Sequence, residues 1–460
     1  MTSTLPQQPR RILIVGGGPC GLVSLRNLVE RGQFDEVVLA ERRADIGGVW
    51  YLEDLPKPDA PRTRPYWPSP AYPALVGNVL AEYLSFSHYP FPEPPSKTHP
   101  YPSLADTYAY LRRFAAPFLE SGQIRLSTEV VWIDELPDSR GWSVTTRDWR
   151  AGKNGEVHVE VWDAVVVATS WYDFPSWPES TPGLAEARTA GLATHAQTWH
   201  GPVGYEGKRV VVVGNANSSN DIAAQLKSVA KGPVYRSIRR QGLRRFAFLP
   251  DPRVVDVPPI TRYIVKSSGK LDLELLGGST LTDIDAVVLD PHPPLTSADT
   301  TPPRIPALYK HILYAPNPTV AFIGAVMSYT PFTLADVAST WLALFFARRL
   351  AIPASLPARL DGERARLEKV SRVREVGAKQ EGRELSSLVA YHILGAEEQA
   401  YAQGLKDEIA AVEPGWAKVL PEWSDEAWKK REAMYERKWV SLMAEQEAEE
   451  KLAAGAVSKL

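Results

Sequence analysis

The stretch Arg11-Ile12-Leu13-Ile14-Val15-Gly16-Gly17-Gly18-Pro19-Cys20-Gly21 decides the fold. Its first five residues read as a short strand of the kind buried in a parallel sheet. Glycines at 16, 18 and 21 follow at once in G-x-G-x-x-G spacing. Gly16 permits the tight turn, Gly18 lets the backbone approach a pyrophosphate, and Gly21 lets a helix pack close to the strand. Pro19 and Cys20 within the loop are expected cofactor contacts, and Leu22 to Glu30 continues as a helix with its N-terminal amides toward the phosphates. Val37 to Ala40 form a second strand. Glu41 ends it, about 20 residues past the glycines, where a carboxylate meets ribose hydroxyls. Arg42 beside it is expected to touch the cofactor as well. Gly47-Gly48-Val49-Trp50 is either a mere turn or, following such an acidic residue, a place where the chain passes close to an isoalloxazine ring, and the first dinucleotide is read as FAD.

A second unit of this type lies in the middle. Lys208 to Val213 is another buried-strand pattern, followed by Gly214-Asn215-Ala216-Asn217-Ser218-Ser219 and a helix over Asp221 to Leu226. The spacing of the first loop is kept, but of its glycines only Gly214 remains. A methyl at Ala216 crowds the pyrophosphate without forbidding it. Gly214, Asn215, Asn217, Ser218 and Ser219 are the expected cofactor contacts. The next strand, Pro233 to Tyr235, runs into Arg236-Ser237-Ile238-Arg239-Arg240. Cations stand where a ribose-binding carboxylate would be, and an arginine fork suits a 2′-phosphate. NADPH is therefore expected over NADH, held by Arg236 and Arg239. The other reading is a solvated basic patch that runs on to Arg244 and Arg245.

Asp163 to Ser170 reads as a strand ending beside the cofactor at Thr169, and Val320 to Gly324 as a similar one, with Gly324 as a contact. A helix over Leu334 to Trp341 can aim its N-terminal dipole at a reduced flavin, with Asp336 as an expected cofactor contact. The expected fold class is α/β, with two Rossmann-like dinucleotide-binding domains and a helical C-terminal segment. Residues 1–178 form the first part of the FAD domain, 179–312 an inserted NADPH domain, and 313–460 the second part with its helical extension.

Composition narrows the function. The chain has 460 residues, 44% hydrophobic and 23% charged, enough for two or three cores. A net charge of -2 gives no electrostatic case for nucleic acid or an anionic membrane. The densest apolar run, Trp341 to Ala347, is far short of the ~18 residues that span a bilayer. Cys20 is the one cysteine, so no intrachain disulfide forms and a reducing compartment fits. Met1 to Pro9 lacks the apolar core of a secretory signal. The proline-rich stretch from 56 to 102 carries Tyr66, Trp67, Tyr72, Phe86, Tyr89 and Phe91, which reads as an ordered loop over a surface or pocket. Ser458-Lys459-Leu460 reads as a peroxisomal address for an import receptor.

From about residue 10 to 350 the sequence resembles the flavin-containing monooxygenases, the class B flavoprotein oxygenases. The two loops, Glu41, Gly47 to Trp50 and the Ala168-Thr169 strand end fall in that family's order. Ser237-Ile238-Arg239 resembles its NADPH phosphate-binding segment. Ser69 to Pro73, Asn78 and Phe86 to Pro92 resemble its segment beside the flavin. The resemblance implies that Asn78 lies near the flavin and assists oxygen chemistry, and that His195 and Arg239 organise NADP. It implies hydride transfer from NADPH to FAD, uptake of O₂ at C4a, and delivery of one oxygen atom to a small molecule. The chain departs from the family fingerprint F-x-G-x-x-x-H-x-x-x-Y/F: Gly191 and His195 are kept, Thr189 replaces phenylalanine, and Trp199 is the residue of the sister Baeyer–Villiger enzymes. Ser170 stands where A-T-G is usual, and the Gly214 to Ser219 loop looks closer to fungal biosynthetic relatives.

Other readings stay open at this point. One is Baeyer–Villiger insertion beside a ketone. Another, suggested by Ala216, Ser219 and Ser170, is an oxidase or dehydrogenase without oxygen transfer. A third is a flavoprotein whose FAD stays oxidised while another surface binds a partner. Asn78 has its own alternative, as the cap of a helix over Val79 to Leu84.

Overall fold

The computed structural model describes residues 8–54, 64–93, 100–137, 140–169, 171–239, 249–290, 300–381, 390–434 and 436–443. Ser170, Arg240, Arg244, Arg245 and Ser458 to Leu460 lie outside them, as do parts of the N-terminus and of the proline-rich stretch.

Strand β1 (Arg11–Val15), helix α1 (Pro19–Arg31) and strand β2 (Glu36–Ala40) form the expected strand–loop–helix–strand unit. Helix α2 (Leu104–Glu120) starts at a capping box of Ser103 and Asp106 and leads to the short β3 (Ile124–Arg125). An antiparallel meander follows, β4 (Thr128–Glu135), β5 (Trp142–Asp148) and β6 (Glu156–Trp162), then β7 (Ala164–Val167). After a long excursion the chain returns as β16 (Leu308–Tyr309), β17 (Leu313–Tyr314) and β18 (Val320–Phe322), completing a sheet of order β16-β17-β18-β7-β1-β2-β3. β1 pairs in parallel with both β2 and β7, so it is buried on both faces and every residue can be apolar. One face packs on α1 and α5 (Pro331–Phe346). The other packs on the meander through Trp142, Val144 and Trp162.

The excursion holds α3 (Leu184–Thr189), β8 (Ala193–His195), β9 (Val210–Val213), α4 (Asn217–Leu226), β10 (Val234–Ser237) and β11 (Val254–Val257). A second meander, β12 (Ile260–Val265), β13 (Leu271–Leu275) and β14 (Thr280–Ile284), precedes β15 (Ala286–Leu289). Five of these strands form a parallel sheet of order β11-β10-β9-β15-β8. β9 thus repeats the role of β1. Among the described residues the C-terminal part is helical: α6 (Leu356–Glu381), α7 (Glu397–Val412), α8 (Pro414–Val419), α9 (Asp425–Glu432) and a further helical stretch over 436–443. Leu405, Ile409 and Leu420 close the core over α5.

The helix expected over Val79 to Leu84 is a single 3-10 turn at Ala81–Tyr83. Leu80 before it is extended, and beyond it the Phe86 amide donates to the Tyr110 hydroxyl at 2.8 Å. Helix α5 is buried on all sides, and so is its Asp336. The Asp336 carboxylate accepts from Arg26 Nη2 (2.8 Å), Asn27 Nδ2 (3.1 Å) and the Ser87 amide (2.6 Å). Its expected place at the cofactor is therefore corrected: Asp336 neutralises a buried arginine and ties α1 to α5.

Candidate active site

A cavity of about 910 Å³ opens along the C-terminal ends of β1, β2, β7 and β18. Gly16, Gly18, Pro19, Cys20, Glu41, Arg42, Gly48, Val49, Trp50, Thr169 and Gly324 all line it, so residues scattered over three hundred positions converge on one space. Helix α1 starts there with Gly18 as its N-cap and no side chain on its first amides. Those amides are donors waiting for an anion. Gly21 lies behind: a Cβ on it would stand 1.9 Å from the Gly16 carbonyl oxygen, which is the close helix–strand packing its spacing implied. Gly18 and Gly48 are in backbone contact. A Cβ on Gly48, whose φ is +57°, would fall 2.8 Å from Gly18 Cα.

Glu41 is buried, with its two oxygens accepting from the Gly17 amide (2.6 Å) and the Arg43 amide (2.8 Å). It therefore fixes the loop while each oxygen keeps a lone pair for a further donor. Arg42 forms an ion pair with Asp173, Nη1 to Oδ2 at 3.0 Å. Arg43 donates to the Gly48 carbonyl at 2.7 Å and braces the Gly48–Trp50 turn. Burial pushes the Cys20 thiol up to about 12, which favours its protonated form. Pro331 and Phe332, in the first turn of α5, also line the cavity. Uncapped amides, a glycine-to-glycine cradle and a volume within the range of ligand sites fit a dinucleotide.

Asn78 does not line this cavity. It is not a cap either, since the 3-10 turn begins after Leu80 with no side-chain bond. Its Oδ1 accepts from Lys438 Nζ, which also reaches the Val76 carbonyl. The geometry gives the implied oxygen-chemistry role no support, because the amide oxygen is engaged by the C-terminal helical stretch.

The second loop has the same outline with different chemistry. Gly214 lies at the end of β9, and Ala216 caps α4 without a side-chain bond. Asn215 and Asn217 are half-buried and Ser218 is exposed. The Ser219 hydroxyl is not at the surface. It is fully buried and donates to the Ala216 carbonyl at 3.0 Å, because a serine replacing glycine must turn back into the helix. The Ser219 amide donates to Asp290 Oδ2 at 3.0 Å. Arg236 is likewise corrected as a phosphate ligand: its guanidinium pairs with Asp256 across the β10–β11 ladder (2.7 and 2.9 Å) and reaches Asn220 Oδ1. Arg239 is exposed on the same rim. His195 ends β8, with Nδ1 accepting from the Gln197 amide at 3.0 Å, Nε2 buried, and the ring interacting with the Ser176 backbone. Burial lowers its pKa. Trp199 is buried in the core of this unit.

The family profile described as "FMO-like: Flavin-binding monooxygenase-like" matches residues 9–243. The chain belongs to this family. Among relatives of this monooxygenase is the flavin-containing monooxygenase FMO GS-OX2 of Arabidopsis thaliana, 28% identical over 364 residues, 76% of each chain. In fold it is similar to the S-allyl-L-cysteine S-oxygenase of Allium sativum (TM-score 0.69, 23% identity, 94% of this chain and 99% of that one). It is also similar to cyclohexanone monooxygenase (TM-score 0.55, 15% identity, 87% and 97%). The monooxygenase is thus an α/β enzyme that uses FAD and NADPH. No helix among its described residues is long and apolar enough to cross a membrane.

Two features of the cavity of this monooxygenase were not legible. Arg43 has no motif that marks it, and only its tertiary contact with Gly48 reveals its work. His311, half-buried, lines the far wall beside the buried His392, which lies 81 positions away, and no local pattern joins them.

Proposed function

We propose that the enzyme transfers one oxygen atom from O₂ to the sulfur or nitrogen of a small molecule, with FAD in the cavity at Gly16 to Gly21 and NADPH at the Gly214 loop. The supporting observation is the wall opposite Glu41. It is made by Val326, Met327, Phe332, Leu334 and Ala335 and, among the described residues, holds no ionised side chain. His311 there is neutral, since burial pushes it down to about 4. Bound FAD, once reduced, supplies the activation of O₂. The chain binds, orients and excludes water. A sulfur or nitrogen lone pair needs no protein base, so an apolar wall suffices. The S-oxygenase among its structural neighbours makes sulfur the first atom to test.

A biosynthetic role belongs to this proposal, on the likeness of the Gly214 loop to fungal biosynthetic relatives. So do the units 1–178 with 313–460 for the flavin and 179–312 for the nicotinamide. Delivery to peroxisomes through Ser458-Lys459-Leu460 is proposed with them. An N-terminally tagged protein should lose peroxisomal enrichment when the tripeptide is removed. The Baeyer–Villiger reading has the likeness to cyclohexanone monooxygenase behind it, but Trp199, its support in the sequence, is core. Incubation with NADPH and a panel of thioethers, amines and ketones separates the readings. Sulfoxide or N-oxide formed as NADPH is consumed supports the proposal. An ester product favours the Baeyer–Villiger reading, and peroxide alone favours the oxidase.

A further inference from the structure

We propose that His311 donates a hydrogen bond from Nε2 to the flavin half of FAD, as a ring whose tautomer is set by His392. This rests on the proposal that the cavity holds FAD.

His311 sits in the turn between β16 and β17. The Ile312 amide closes the turn onto the Tyr309 carbonyl at 3.0 Å, and Lys310 and His311 at its centre have φ of 52° and 56°. Two positive φ values in succession are the pattern of a type I′ turn, which asparagine and glycine usually make. Residues with larger side chains hold that conformation only where their surroundings impose it, and such sites cluster at functional positions. Helix α7 imposes it here. The Tyr401 hydroxyl donates to the Lys310 carbonyl at 2.8 Å, and Lys310 Nζ meets Glu408 at 2.7 Å.

The protonation pattern follows from hydrogen bonds. The Ile305 amide donates to His392 Nε2 at 3.0 Å, so in a neutral ring the His392 proton is on Nδ1. That nitrogen is 3.2 Å from His311 Nδ1, which must accept. The His311 proton is therefore on Nε2. Both rings are neutral, because burial, helped by the Arg366 charge, pushes His311 down to about 4 and His392 to about 3. His311 Nε2 bonds to no described residue and is not among the sealed, partnerless buried atoms. The ring lines the cavity beside Met327, Ser328 and Tyr401. An oriented N–H thus faces the bound group.

Position selects the acceptor. Along the sheet edge the order is Glu41 after β2, Gly16 after β1, Thr169 after β7, Gly324 after β18, then the β17 turn with His311. A dinucleotide with a ribose at Glu41 and its pyrophosphate at Gly16 to Gly21 extends its other half toward His311.

The test is FAD affinity and the flavin spectrum of the purified holoenzyme. His311→Phe should weaken FAD roughly five- to tenfold, the worth of one neutral hydrogen bond, and shift the visible flavin band. His392→Leu should do the same by releasing the tautomer. His392→Gln should restore both, since its amide can accept from Ile305 and donate to His311. Nitrogen NMR of labelled histidine should find His311 as the neutral Nε2–H form. Where His311→Phe does not fold, His311→Met carries the same test. Wild-type FAD affinity and spectrum in the His311 variant overturn the inference, as does unchanged affinity with a raised KM for substrate alone. If Gly18→Val keeps its flavin, the placement of FAD in this cavity falls first. If Gly18→Val loses flavin and His311→Phe does not, only the inference falls.

Discussion

At the scale of single residues, the site is built from backbone contacts that side chains would prevent. Gly48 has a φ of +57°, a conformation that costs a residue bearing a Cβ about 1 kcal/mol. Its added Cβ would also stand 2.8 Å from Gly18 Cα, and neither partner has a side chain to move aside. Gly48→Ala should therefore yield folded protein with little bound FAD. Flavin content after purification checks this, and a full complement of yellow cofactor would refute it. The strand–turn–helix–strand around Gly16, Gly18, Gly21 and Glu41 was legible because its signal is local, carried by spacing. Arg236 and Ser219 were misread for a related reason. Residue type and spacing show where a side chain starts, and the partner that claims it, Asp256 or the Ala216 carbonyl, is supplied by folding.

At the scale of elements, α5 explains the misplaced Asp336. Fifteen of its sixteen residues, Phe332 to Phe346, are buried, so no polar stripe tells which side faces the cavity and which faces α1. Asp336→Ala would leave Arg26 buried without its counter-charge. A loss of about 3–5 kcal/mol is expected, read as a lowered unfolding midpoint. A loss of FAD at unchanged stability would instead return Asp336 to the cofactor. The β16–β17 turn makes a pH-dependent contribution. An unfolded histidine takes a proton near 6.5, and His311 in the fold does so only near 4. Between these values the unfolded chain binds more protons, so stability falls as pH drops through that window. Glu398, raised by burial to about 7, acts in the opposite sense from 7 down to 4.5. The comparison with His311→Phe removes that term. Wild type should lose more stability than the variant between pH 6.5 and 4, and parallel curves would contradict the neutral ring.

At the scale of the molecule, the two nucleotide units were legible and the polar contacts between their segments were not. The Tyr72 hydroxyl, on a loop that follows the first unit, donates to Asp221 Oδ2 at 2.6 Å on α4 of the second. Burial raises the Asp221 pKa, and the charge of Lys438 opposes that shift. Tyr72→Phe leaves this half-buried carboxylate one donor short and should cost about 1 kcal/mol. Thermal unfolding measures it, and an unchanged midpoint would show the contact to be idle. Because Lys438 also holds Asn78, three distant segments meet at this point, a junction that no single window of sequence contains. The central claim is oxygen transfer from O₂ to substrate, and it is tested most directly with isotopically labelled O₂. Enzyme, NADPH and a thioether should give sulfoxide carrying one labelled oxygen for each NADPH consumed. Consumption of NADPH that yields only labelled peroxide, with the thioether recovered intact, would contradict the account.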